Sequence, residues 1–183
     1  MTKFDPQKHR RRSHRLPGYD YSQAGAYFVT LVTWQRESLF GEVVNGEMTL
    51  NDVGKIVQVE WERSEQIRDE VRLDVYAVMP NHFHGIVILN GDVVGATGRS
   101  PLHDGVPRGP APKSLGALIA GFKSSVSKRI NILRETPGIP VWQRNYYEHI
   151  IRNEHEFRKI WDYIEANPAN WQEDSENPIN LNP

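Results

Sequence analysis

Two strand-like runs, "VRLDVYAVM" (71 to 79) and "HFHGIVIL" (82 to 89), meet at Pro80-Asn81. Both are rich in β-branched and aromatic residues, and the dipeptide between them is a turn former, so the chain folds back on itself as an antiparallel hairpin. That hairpin needs further strands and a helical cover to bury its apolar face. The rest of the chain supplies them. "AYFVTLVTW" (26 to 34) reads as a central strand, and "EVVNGEMTL" (42 to 50) as two short strands around Asn45-Gly46, a dipeptide suited to a type I′ turn. From Asn51 the period becomes helical: Val53, Ile56, Val57, Trp61 and then Ile67 or Arg68 share a face, with Asn51 or Asp52 as the cap. Ser114 caps a second helix whose apolar side is Leu115, Leu118, Ile119, Phe122 and Val126, with Lys123, Lys128 and Arg129 on its other sides. "VWQRNYYEHII" (141 to 151) is short and strand-like, and a last helix spans Glu154 to Ala166.

Setting aside the small hairpin and the last helix leaves βαββαβ, the ferredoxin-like arrangement. The expected fold class is α+β: an antiparallel sheet covered on one face, a β-hairpin insertion and an appended C-terminal helix. At 183 residues the chain suits one domain, expected over 18–171. Residues 90–113, with five Gly and four Pro, are expected to be a mobile loop, and 172–183 a flexible tail.

Composition removes whole classes of chemistry. The chain has no cysteine, so thiolate catalysis, disulfides and Cys-based zinc sites are excluded. It carries neither an apolar run long enough to cross a membrane nor the apolar core of a signal peptide, and a cytoplasmic protein is expected. The net charge of −1 conceals a basic arm over 1–17: Lys3, Lys8, Arg10, Arg11, Arg12 and Arg15 against Asp5 put +5 in the first 15 residues, leaving −6 for the other 168. Such an arm is a common device for engaging nucleic-acid phosphates, and equally a solvated extension.

His82 and His84 stand two apart in a strand, so their imidazoles project to one face while Phe83 goes to the other. Two imidazoles at that spacing can hold one divalent cation, and the neighbours discriminate among known histidine signatures. A histidine-triad nucleotide hydrolase would carry a third histidine where Ile86 stands, and a 2H phosphoesterase would carry Thr or Ser where His84 stands. What remains is His-hydrophobic-His on a middle strand, which resembles the HUH endonucleases. With "VMPNHFHGIVIL" followed by "VWQRNYYEHIIRNEHEF" and "IWDYIEANP", the chain resembles the IS200-like Y1 transposases, and within them the REP-associated tyrosine transposases.

The resemblance implies one nucleophilic tyrosine on the C-terminal helix, and Tyr163 occupies the matching place. At about 100° per residue the apolar stripe of that helix is Phe157, Ile160, Trp161 and Ile164, with Tyr163 and Asn167 one turn apart on its edge. Asn167 would add an amide oxygen to the two imidazoles, a neutral donor set suited to Mg²⁺ or Mn²⁺. The activity implied is metal-dependent cleavage of single-stranded DNA beside REP-like hairpins, through a 5′-phosphotyrosine and a free 3′-OH that can reseal or transfer the strand. Tyr146 and Tyr147 are rival nucleophiles set in a strand-like segment. Arg10, Arg11, Arg12, Arg15, Lys123, Arg144 and His149 are the candidate DNA contacts, and Trp142 is read as core. Relatives act either alone or as dimers that exchange the tyrosine helix, so a homodimer stays open. The competing reading from another class is a domesticated hairpin-DNA-binding protein without turnover.

Overall fold

The computed structural model describes residues 20–90 and 110–181. The basic arm, with Arg10, Arg11, Arg12 and Arg15, and most of the expected mobile loop lie outside the described residues.

Four strands form the main sheet: β1 (Gly25–Val32), β4 (Val71–Val78), β5 (His82–Leu89) and β6 (Tyr147–Ile151), in the order β4-β5-β1-β6 with every neighbouring pair antiparallel. With α1 (Asp52–Gln66) and α2 (Leu115–Leu133) between them this is the βαββαβ arrangement, and α3 (Glu154–Ala166) follows. The inserted hairpin pairs β2 (Gly41–Val44) with β3 (Glu47–Leu50). Its turn puts Asn45 at φ 54° and Gly46 at φ 82°, both left-handed as a type I′ turn requires. Asn51, Ser114 and Asn153 cap α1, α2 and α3, each side-chain oxygen accepting from the backbone N–H three residues on.

Alternation along β1 and β5 sorts the sheet into two faces. Tyr27, Val29, Leu31, Phe83, Val87 and Leu89 pack against Val57 and Trp61 of α1 and Leu118, Ile119, Phe122 and Val126 of α2. The Trp61 ring lies 4.5 Å from Phe83 and 5.1 Å from Phe122 between centroids. Gly85 makes room for it, because a Cβ there would stand 2.8 Å from Trp61 Cζ2. Helix α1 is tied to α2 by Arg129, whose Nη1 donates to the buried Glu60 carboxylate at 2.7 Å.

The opposite face departs from the single-cover expectation. Phe28 and Ile86 of the sheet meet Ile151 and the fully buried Ile164, with Phe157 and Ile160 packed alongside, so α3 covers this side. Three boundaries also shift. Ile67 is 66% exposed, because α1 ends at Gln66 and turns that side chain outward. Of the strand expected over 141–151, only Tyr147–Ile151 pairs with β1; Trp142 forms a lone bridge to Thr33 and packs in the core against Phe40 and Phe122. The segment after α3 is not a loose tail: Trp171–Glu173 and Pro178–Leu181 are short 3₁₀ turns, and Asp174 and Asn177 between them are buried.

Candidate active site

His82 and His84 open β5 on the α3 side of the sheet, facing Val32 and Thr30 across the β1 ladder. Both are buried, with ring centroids 4.5 Å apart. Each Nδ1 is held by a neighbour: His82 Nδ1 lies 2.9 Å from Asn81 Oδ1, and His84 Nδ1 lies 2.8 Å from Thr30 Oγ1. Asn81 is itself oriented, since its Nδ2 donates to the carbonyls of Glu176 at 2.7 Å and Arg36 at 3.3 Å. Its oxygen therefore faces His82 and accepts from Nδ1–H, which leaves the Nε2 lone pair pointing into the site.

Tyr163 comes from α3 and lies 45% exposed. Its hydroxyl stands 3.2 Å from His84 Nε2, within the same chain. One turn on, Asn167 is the C-cap of the helix and is buried. Its Nδ2 donates to Asp174 Oδ2 at 2.6 Å, and Asp174 Oδ1 accepts from the Glu176 amide at 2.6 Å. Asp174 Oδ2 also lies 3.9 Å from His82 Nε2. One donor atom from each of His82, His84 and Asp174 falls within 4.8 Å of the others, a group that could hold a metal ion.

The donor set passes a test of fit. Among the described residues His82 Nε2 and Asn167 Oδ1 are buried without a hydrogen-bond partner. An orphaned imidazole nitrogen and an orphaned carbonyl oxygen beside a carboxylate are costly unless something electropositive meets them. Burial pushes His82 down to about 4, against the pull of Asp174 toward protonation, and holds His84 well below its usual value, with His82 contributing. Both rings are therefore neutral near pH 7, the form in which imidazole ligates. Burial pushes Tyr163 up to about 12, reinforced by the negative charges of Asp174 and Glu176.

The structure thus brings His82, His84, Tyr163 and Asn167 together and adds Asp174, which sequence reasoning missed. Asn167 serves as the anchor of that carboxylate, and the site carries a negative charge where a neutral set was expected. The available signal was local: Asp174, three residues after Trp171, immediately precedes the turn-forming run Ser175-Glu176-Asn177-Pro178.

The expected DNA contacts divide. Arg144 is exposed. Lys123 is not on offer to a phosphate: it is part-buried, its Nζ donates to the carbonyls of Gln143 at 2.6 Å and Arg144 at 3.1 Å, and burial lowers it to about 8. His149 Nε2 is paired with Glu156 Oε1 at 2.7 Å, fastening β6 to the first turn of α3. Tyr146 and Tyr147 line a cleft beside Tyr163.

No protein-family model matches the chain. An uncharacterized protein of Haemophilus influenzae Rd is 38% identical over 176 residues, 94% of this chain and 96% of that one. The two belong to one family. A solved structure of a REP-associated tyrosine transposase bound to a REP hairpin superposes with a TM-score of 0.55 at 19% identity, over 93% of this chain and 74% of the other. The fold is that of a Y1 transposase. Among the described residues, no helix is long and apolar enough to cross a membrane.

Proposed function

We propose that the chain is an HUH-type tyrosine transposase of the REP-associated kind, a metal-dependent enzyme that nicks single-stranded DNA beside a hairpin and can transfer the strand. The observation that carries this reading is the Tyr163 hydroxyl 3.2 Å from His84 Nε2, at the edge of a buried His, His, Asp donor group. The solved relative in fold is bound to a REP hairpin, which supports DNA of that form as the partner.

His82, His84 and Asp174, with Asn167 Oδ1 at hand, would hold Mg²⁺ or Mn²⁺, which when bound supplies positive charge against a scissile phosphate. Asn81 and Thr30 keep the imidazoles turned to present nitrogen lone pairs, and Asn167 keeps the Asp174 carboxylate in place. Tyr163 is the nucleophile: its oxygen bonds to phosphorus as the P–O3′ bond breaks, the phenolic proton is lost, and the departing 3′ oxygen takes one up. A tyrosine whose pKa is pushed to about 12 is a weak nucleophile unassisted, so charge stabilisation at the phosphate is required. Asp174 would repel DNA phosphates at a bare site, which makes binding of the cation and of the substrate mutually dependent.

The test is incubation of a labelled single-stranded hairpin oligonucleotide with the protein and Mn²⁺. A protein adduct carrying the DNA 5′ end, absent in Tyr163→Phe, is the expected result. Tight binding without cleavage would instead establish the non-catalytic hairpin-binding reading, and cleavage persisting in Tyr163→Phe would assign the attack to water.

A further inference from the structure

The cleft at Tyr163 extends well beyond the nucleophile. Its volume is about 550 Å³, and it runs from Tyr163 and His84 across Phe28 to the segment 143–147. Cavities of this size hold small ligands, and this one is furnished unevenly. One part is aromatic: Phe28 meets Tyr147 edge-on at 6.1 Å between centroids, and Tyr147 is 46% exposed. Beside it stand the amide side chains of Gln143 and Asn145, each offering a donor and an acceptor. Arg36 and Glu176 also line the cleft, and Arg36 Nη2 is paired with Glu176 Oε2 at 2.9 Å, so the charge there is already matched.

The wall bearing the amides is held in place. Gln143 N–H donates to Val32 at 2.9 Å, and its carbonyl accepts from Lys123, which reaches over from α2. A pinned wall, an exposed aromatic ring and two amide edges form the combination that takes an unpaired nucleobase, stacking on its face and pairing with its edge. A matched ion pair in the lining offers little to a bare phosphate.

We propose that this cleft reads one base of the single strand next to the scissile phosphate, with the base stacked on Tyr147 and its edge turned to Gln143 and Asn145. The proposal rests on the reading of the chain as a single-strand nuclease. It makes those three side chains the determinants of cleavage-site choice.

Two measurements test it. In the first, 2-aminopurine is placed in turn at each unpaired position flanking the hairpin foot, and its fluorescence is read on binding to Tyr163→Phe protein with Mn²⁺. Quenching is expected at one position, retained when Tyr147→Phe is added and lost when Tyr147→Leu is added. In the second, the same flanking positions are randomised and covalent adducts of the unaltered protein, Gln143→Ala and Asn145→Ala are sequenced. A preference of about tenfold for one base at that position is expected from edge pairing, collapsing in at least one of the two variants. Adduct formation with no quenched position, or with a preference unchanged in both variants, overturns the pocket and leaves the nuclease standing. Quenching that depends on Tyr147 without any adduct overturns the nuclease and leaves the pocket standing.

Discussion

The two faces of the main sheet are made from the same strands, and their chemistry is opposite. On one, Phe83, Val87 and Leu89 of β5 meet Trp61 and Phe122 in an apolar, aromatic-rich core. On the other, His82 and His84 of the same strand meet buried Thr30 and Asp174 and the half-exposed Tyr163, all polar. The period of two in a β-strand is what allows this, because each residue is committed to one side. The apolar face supplies the stability that lets the polar face keep two orphaned acceptors, His82 Nε2 and Asn167 Oδ1.

The largest separation between the faces is expected at Tyr163 and Phe83. Tyr163→Phe should lower adduct formation on the order of 10⁴-fold or more, read on denaturing gels with a labelled hairpin, while leaving the melting temperature nearly unchanged. A melting temperature that fell sharply would show that the hydroxyl is structural. Phe83→Ala should destabilise by about 3 to 5 kcal/mol in urea titration, the cost of a large cavity under Trp61. His84→Ala should cost less than that; the reverse ranking would break the division into a stabilising and a functional face.

Asp174→Asn should weaken Mn²⁺ binding by about 10- to 100-fold in calorimetry, since it removes the one carboxylate at the donor group. Equal affinity in the variant would remove Asp174 from the ligand set. Acid offers a subtler probe. Free imidazole titrates near 6.5, and both site histidines titrate lower in the folded chain, His82 at about 4. The unfolded chain therefore takes up protons first as pH falls. Stability from this source is complete above about pH 6.5 and lost progressively toward pH 4, by about 2 kcal/mol at pH 5 from His82 alone. Urea midpoints of metal-free protein at pH 7 and pH 5 measure it, and a flat profile would mean that the imidazoles are hydrated. The smallest effect is expected at the root of the tyrosine helix: Asn153→Ala removes the cap of α3 and should cost about 1 kcal/mol.

Most of the scaffold could be read from the chain because its determinants are local. Asn45-Gly46 dictates a turn, Ser114 and the apolar stripe after it dictate α2, and His82 and His84 share a face by strand geometry alone. Tyr163 and Asn167 were legible as a pair one turn apart, although their approach to the histidines is a tertiary fact. What escaped depends on contacts across the fold. The stretch containing Asp174 is polar and Pro-containing, the composition of a solvated tail, and it is held by Asn81 and Asn167 from elsewhere in the sequence. Lys123 looks like any surface cation on a helix until its two carbonyl acceptors, some twenty residues away, are in place. The second cover on the sheet follows from α3 docking Ile164 onto Ile86, which no period within α3 specifies.

The placement of Asp174 and Glu176 after the last long helix has a genetic consequence. Among the described residues, every strand and α-helix is encoded before codon 167, and the carboxylate end of the site after it. A premature stop shortly after Trp171 would discard the acidic donor and the Asn81 tether while leaving both helical covers encoded. On the proposed reading, loss of the chemistry and loss of the fold are thus separable by where the message ends, leaving a chain that keeps the sheet and its covers without the acidic donor.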